Sequence, residues 1–164
     1  MAFKIKTLRL ENGARLGICP LPGRDGNGLA DLATIAQWSP ELVISMTQTV
    51  EMERHNMADL GALLEQMGIS WLHFPVQDFS TPAALGWAQV SRHLHRVLDA
   101  KGAVLAHCYG GQGRSGMVLL RLMVERGENP PTALARLREQ RPGAVETDAQ
   151  YRWATAPCGA AERR

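Results

Sequence analysis

The residues best suited to chemistry lie in AHCYGGQGRSG, positions 106–116, where a lone thiol is set among four glycines and followed by an arginine and a serine. Glycine-rich turns between a strand and a helix bind anions, because consecutive backbone N–H groups turn inward and the helix N-terminus adds partial positive charge. The pairing of Cys108 with Arg114, six positions further on, is more particular. A loop with fixed ends can surround one phosphate, with the sulfur beneath the phosphorus and the guanidinium gripping two oxygens in a fork that lysine cannot reproduce. The amides, the helix N-terminus and the guanidinium all favour an ionised sulfur, and surroundings of this kind bring cysteine pKa values to about 3.5 to 7.5. His107 would position the loop through its ring nitrogens, and Ser115 would donate a hydrogen bond to the sulfur as it leaves. The phosphate-binding set is therefore Tyr109, Gly110, Gly111, Gln112, Gly113 and Arg114.

The elements around the loop decide among anion-binding functions. AVLAH before it reads as a buried strand, and GMVLLRLMVERG after it as a helix. FKIKTLRL and ARLGIC flank the hairpin-type dipeptide Asn12-Gly13. LADLATIAQW reads as a helix, LVISM as a buried strand, MADLGALLEQMG as a helix and ISWLHF as a strand. Thr81-Pro82 offers a capping hydroxyl and a first-turn proline for a helix running through AALGWAQVSRHLHRVLDAKG. PTALARLREQ and DAQYRWAT complete the helical patterns. The alternation implies an α/β fold, a mostly parallel central sheet flanked by helices, with sites beyond the carboxyl ends of the strands. Gly111-x-Gly113-x-x-Gly116 matches the dinucleotide fingerprint literally, but a second helix follows rather than a strand ending in an acid. A nucleotide-triphosphate loop is excluded because G-K-[ST] does not occur.

The bounds agree with a small enzyme. A chain of 164 residues fits one domain, expected over 1–156 with a frayed tail at 157–164. With 45% hydrophobic and 21% charged residues it has a globular composition, and a net charge of +2 gives no footprint for nucleic acid. No segment reads as a signal peptide or membrane span, so a cytoplasmic location without membrane partners is expected. Cys19, Cys108 and Cys158 are odd in number and form no C-x-x-C pair, which argues against a disulfide framework or zinc site. His93 and His95, two apart on a helix, do not share a face as metal ligands would. No metal or cofactor is expected. Trp38, Trp71, Trp87 and Trp153, with Met46, Met52, Met57 and Met67, read as core packing. Cys19 reads as an inert buried thiol, with reversible pairing to a neighbouring nucleophile as the alternative.

HCYGGQGRS fits H-C-x-x-G-x-G-R-[ST], and on this motif the chain resembles the cysteine-based protein phosphatases, whose compact branch is the dual-specificity group. With LGICPLPG upstream and ALARLREQRPGAVETDAQYRW downstream it is most similar to the kinase-associated phosphatase (cyclin-dependent kinase inhibitor 3) type, from about Leu16 to Trp153. The resemblance implies attack by the Cys108 thiolate, a phosphocysteine intermediate, and hydrolysis by water. It also implies a general acid in an upstream loop, and Asp78 in FPVQDFSTP matches that position, thirty residues before the thiol. Related enzymes often carry glutamine where ETDAQY has Glu146, while Gln150 keeps the second glutamine of that motif. A carboxylate there is unfavourable near phosphate, so two orientations stay open, pointing away or acting on water, and Glu146 is left outside the catalytic set of Cys108, Arg114, Asp78, Ser115 and His107. The loop carries no extra lysine or arginine for a polyphosphorylated ring, which favours a singly phosphorylated protein or peptide group, Tyr(P) and also Ser(P)/Thr(P). A phosphorylated metabolite, a phosphate-binding module without turnover and a rhodanese-like sulfur transferase are the alternatives. The sequence specifies no oligomeric state.

Overall fold

Strand β5 (Ala103–His107) is buried at every residue, and it runs down the middle of the sheet in the computed structural model, which describes residues 2–83 and 86–157. Its neighbours β2 (Arg15–Cys19) and β3 (Leu42–Ser45) lie parallel to it, and β4 (Ser70–His73) lies parallel to β3. Only β1 (Lys6–Arg9) is antiparallel, paired with β2 through the Asn12-Gly13 turn, giving the order β1-β2-β5-β3-β4. At that turn Gly13 takes φ +94°, which glycine adopts readily, and Asn12 Oδ1 accepts the Ala14 N–H at 2.9 Å.

Successive side chains of β5 face opposite layers, as strand geometry requires. Leu105 joins Val43 and Cys19 beneath α1 (Gly28–Trp38), α2 (Thr49–Arg54) and α3 (Leu60–Gln66), through Leu32, Ile35, Met52, Leu60 and Leu64. Val104 and Ala106 face α4 (Trp87–Asp99), α5 (Gly113–Glu125), α6 (Pro130–Gln140) and α7 (Asp148–Thr155), packing with Leu94, Leu98, Val118, Leu137 and Ala154. The α/β sandwich with a mostly parallel sheet is therefore the observed architecture. Helix starts carry the expected signals at α6, where Asn129 caps Thr132 N–H at 3.2 Å ahead of Pro130, and at α7, where Thr147 and Gln150 form a capping box.

Three local readings change. Thr81-Pro82 does not open a helix, since α4 begins at Trp87 behind Gly86 and the Thr81-Pro82 stretch extends the preceding loop. The segment TVEMER, unassigned from sequence, forms the short helix α2. Met67 is an exposed hydrophobic at the end of α3 rather than core, whereas Met46, Met52 and Met57 are buried. Of the tryptophans, Trp87 is buried and Trp38, Trp71 and Trp153 are partly so. Cys158 and the rest of the tail from 158 lie outside the described residues. Among the described residues no helix is long and apolar enough to cross a membrane, and no group of His, Cys, Asp and Glu could hold a metal ion.

The α4–α5 contact is pinned by Glu125, which accepts hydrogen bonds from Trp87 Nε1 (2.9 Å), Ser91 Oγ (2.8 Å), His95 Nε2 (2.9 Å) and Arg121 Nε (2.9 Å). Burial pushes this carboxyl up, but the four donors outweigh it and hold it at about 2. A carboxyl depressed on folding stabilises the fold above its unfolded value and loses that contribution as pH falls through the folded one. Stability should therefore decline between about pH 4.5 and 2. Urea midpoints measured along that range should fall less steeply in Glu125→Gln, which starts from a lower stability at neutral pH.

Candidate active site

The carboxyl ends of the parallel strands finish in one row, with Cys19 opposite His107, His107 opposite Ser45 and Ser45 opposite His73. The loop His107–Gly113 rises directly from this row and feeds α5. His107 is fully buried, and its hydrogen bonds define its tautomer. Nδ1–H faces the Cys108 carbonyl, which can only accept, at 3.3 Å. Nε2 then accepts from Ser45 Oγ at 2.5 Å, and Ser45 Oγ in turn accepts the Trp71 indole N–H at 2.8 Å. Burial pushes the His107 pKa down to about 4; the Cys108 carbonyl opposes this and the Arg114 charge reinforces it, so the ring is neutral at neutral pH.

Cys108 is buried at the loop base, its Sγ 3.2 Å from Ser115 Oγ. Gly111 closes the loop with φ +68°, and a Cβ there would lie 2.5 Å from the Cys19 carbonyl carbon, so glycine is required twice over. Arg141, which the sequence reading did not single out, anchors the loop from outside. Its Nε donates to the Gly111 carbonyl at 2.9 Å and its Nη2 to the Gly110 carbonyl at 2.8 Å. Because each trans peptide sets its C=O and the following N–H on opposite sides, turning these carbonyls outward turns the Gly111 and Gln112 amides the other way.

Arg114 has no solvent exposure, and Glu51 from α2 accounts for how it is held. Its Nη1 donates to Glu51 Oε2 (2.7 Å) and the Val76 carbonyl (2.9 Å), and its Nη2 to Glu51 Oε1 (2.8 Å). Glu51 Oε2 also accepts the Gln48 N–H at 2.8 Å, so one carboxylate caps α2 and orients the guanidinium. Burial works to raise the Glu51 pKa, but the Arg114 and Gln48 hydrogen bonds keep it lower than usual. Of the five guanidinium N–H donors three are engaged; Nε–H, which has no hydrogen-bond partner among the described residues, and the second Nη2–H remain on one side as a fork. Asp78 comes to that side, its Oδ1 3.4 Å from Arg114 Nε with the side chain 47% exposed. The next residue, Phe79, is exposed at φ +62°.

Glu146 takes the orientation toward the loop, for a Cβ on Gly113 would collide with its Oε1. Buried Gln150 accepts the Glu146 N–H (2.8 Å) and donates to the Ser80 carbonyl (3.4 Å), tying α7 to the loop that carries Asp78. Cys19 is a buried thiol whose pKa burial raises well above the ordinary value, with Cys108 adding to the rise. Tyr109 leaves the loop on the other side, where it meets the His55 ring at 5.3 Å and lies beneath the Arg24 guanidinium at 4.7 Å. It shares with α2 and the Asp78 loop a cleft of about 480 Å³.

A family model described as "Polymorphic toxin system, DSP-PTPase phosphatase" matches residues 27–128. Cyclin-dependent kinase inhibitor 3 from Homo sapiens is 30% identical over 146 residues, covering 84% of this chain and 69% of that protein. This chain belongs to the dual-specificity protein phosphatase family. It is thus a phosphoric monoester hydrolase by family. The rat cyclin-dependent kinase inhibitor 3 is similar at 31% over 148 residues, again 84% and 69% of the two chains. The crystal structure of kinase associated phosphatase with a serine in place of its catalytic-site cysteine superposes with TM-score 0.83 at 27% identity, covering 94% and 93% of the chains. Tk-PTP in its active form superposes with TM-score 0.67 at 28% identity, over 84% and 87%.

Arg141 and Glu51 touch the anion site only through other groups, yet each fixes donors that an oxyanion would use. Hydrogen bonds to charged groups contribute about 1.5–3 kcal/mol, or roughly 10- to 100-fold in affinity. Arg141→Ala should therefore weaken tungstate binding by about that factor, measured by titration calorimetry, without unfolding the chain, whereas Glu51→Ala, which leaves the Arg114 charge buried and unpaired, should also lower stability by about 3–5 kcal/mol in urea unfolding.

Proposed function

We propose that the protein hydrolyses phosphotyrosine, and also phosphoserine and phosphothreonine, in protein substrates through a phosphocysteine on Cys108. The observation that carries this reading is the meeting of Asp78 with Arg114, 3.4 Å apart, at the loop whose base is Cys108. A proton donor, a two-toothed phosphate clamp and a nucleophile from separate parts of the chain thereby share one site. Arg114 and the loop amides bind the phosphoryl oxygens, and the Cys108 thiolate attacks phosphorus. As the S–P bond forms and the P–O bond breaks, Asp78 gives its proton to the leaving oxygen. Water then attacks the phosphocysteine, Asp78 takes a proton from it, and the S–P bond breaks. Ser115 Oγ, 3.2 Å from the sulfur, donates to the departing thiolate. His107, neutral and locked by Ser45, holds the start of the loop. The loop amides and Arg114 neutralise the transferring group without calling on a metal.

The substrate class rests on two supports. The loop supplies a single permanent cation, Arg114, between positions 108 and 116, which suits one phosphate. Relatives named as a kinase inhibitor and a kinase associated phosphatase suggest a folded phosphoprotein as substrate. The same reading takes 1–156 as one catalytic unit and a cytoplasmic setting.

Hydrolysis of an aryl phosphate in the presence of a chelator tests the chemistry. Cys108→Ser should abolish turnover, and Asp78→Asn should lower kcat by about 10²- to 10⁴-fold and remove the alkaline fall of the pH profile, because an acid that must be protonated is no longer present. A folded wild type that binds phosphate but turns over neither aryl phosphate nor phosphopeptides would leave a binding module. Turnover confined to small phosphorylated metabolites would reassign the substrate.

A further inference from the structure

We infer that Asn27 is a site of spontaneous covalent modification, converted to aspartate and isoaspartate through a ring closed onto Gly28, while the fold protects the identical dipeptide Asn12-Gly13. The chemistry is that of any Asn-Gly pair. The glycine nitrogen, on losing its proton, attacks the side-chain Cγ; the new N–Cγ bond closes a succinimide as the Cγ–Nδ2 bond breaks and ammonia leaves. Water then opens the ring, giving aspartate when the nitrogen leaves Cγ and isoaspartate when it leaves the main-chain carbonyl carbon. Glycine is the most permissive second residue because it has no Cβ to crowd the attacking nitrogen. Solvent water is the only co-reactant. The fold controls the reaction by deciding whether the asparagine side chain can turn and whether the next amide is free to lose its proton.

Both conditions are denied at one dipeptide and met at the other. Asn12 Nδ2 donates to the Leu98 carbonyl at 2.9 Å, its Oδ1 accepts the Ala14 N–H at 2.9 Å, and the Gly13 N–H donates to the Leu10 carbonyl at 3.0 Å. Asn27 stands exposed at the N-cap of α1, yet its side chain makes no capping hydrogen bond there. The Gly28 N–H, at the first position of α1, has no hydrogen-bond acceptor among the described residues. Ring closure at Asn27 therefore disturbs one hydrogen bond, from the Asp31 N–H to the Asn27 carbonyl at 2.9 Å, where closure at Asn12 must break three. The other asparagines are excluded: Asn129 precedes Pro130, which has no N–H, and the Met57 N–H after Asn56 donates to the Met52 carbonyl at 2.8 Å.

The two products differ in what they do to α1. Aspartate keeps the length of the main chain and puts a carboxylate at a helix N-cap, where that residue type is favoured. Isoaspartate routes the main chain through Cβ and Cγ, adding one methylene, and takes the Asn27 carbonyl out of register with the Asp31 N–H. The same Asp31 holds the other end of this turn, its Oδ2 accepting the Gly23 N–H at 2.8 Å. Between those two anchors lies Arg24, stacked over Tyr109 of the phosphate loop at 4.7 Å, so the lesion falls on the segment that borders the loop.

Peptide mapping by mass spectrometry provides the test, on the folded protein aged in mildly alkaline buffer and on the same chain aged in urea. In the folded protein Asn27 should convert, part of it to isoaspartate that accepts a methyl group from an isoaspartyl methyltransferase. Asn12 should convert roughly 4- to 100-fold more slowly, since two further hydrogen bonds must break and each is worth about 2- to 10-fold. In urea the two rates should converge, because both dipeptides are Asn-Gly. Gly28→Ala should slow the reaction at position 27; the Cβ it adds has as its nearest neighbour the flexible Met57 Sδ, at 3.1 Å. Asn27→Ser, which keeps a favoured cap, should remove the more acidic species that ion exchange resolves in the aged wild type. Equal rates at Asn12 and Asn27 in the folded chain, or conversion of neither while both convert in urea, would overturn the inference.

Discussion

A guanidinium with no access to water is tolerable only if a carboxylate is buried with it, because an unpaired charge in the interior is severely destabilising. Arg114 imposes that condition on this fold. Helix α2 must begin at Gln48 so that Glu51 turns inward, and the chain leaving β4 must present the Val76 carbonyl to the same side chain. Once those two segments are fixed, the stretch carrying Asp78 begins two residues beyond Val76 and has little choice but to pass the remaining face of the guanidinium. Asp78, Arg114 and the helix that holds Arg114 are thus placed by one buried ion pair.

Below that pair the parallel sheet does the coarse positioning. Four strands end in a common row, and polar side chains at those ends satisfy one another: Trp71 donates to Ser45, Ser45 to His107, and His107 to the carbonyl of Cys108. Above it, α6 and the turn after it reach round to the loop through Arg141, so the loop carbonyls are held from the side opposite the ligand. A glycine-rich segment that would otherwise sample many conformations is held at both of its ends and along its back, which lowers the entropy lost on binding an anion.

What the sequence made legible was whatever is local. The strand AVLAH, the loop after it and the serine seven positions after the thiol are contiguous, so their chemistry reads directly from residue order. Asp78 was reachable through family resemblance and a strand-end argument. Glu51 and Arg141 were not, because their partners lie 63 and about 30 positions away and nothing in VEMER or REQRPG marks a side chain for the loop. Thr81-Pro82 carries a sound local helix-start signal, yet the segment extends the loop after Asp78 and the helix waits until Trp87. Met67 has the spacing of a core residue, but it falls on the terminating turn of α3, where the chain turns toward β4 and the side chain is left exposed. The orientation of Glu146 required knowing that Gln150 is buried and holds its backbone.

The hydrogen-bonded chain from Trp71 to the Cys108 carbonyl has one more consequence. An indole is a fluorophore sensitive to its polar neighbours, and this one is stacked on His73 at 5.1 Å and linked through two side chains to the loop backbone. Trp87 and Trp153 meet edge to face in the opposite helical layer, and Trp38 lies under Arg15 near the far edge of the sheet. One tryptophan is therefore linked by hydrogen bonds to the glycine-rich loop while the other three are anchored elsewhere, so a change in loop conformation would register in Trp71 fluorescence.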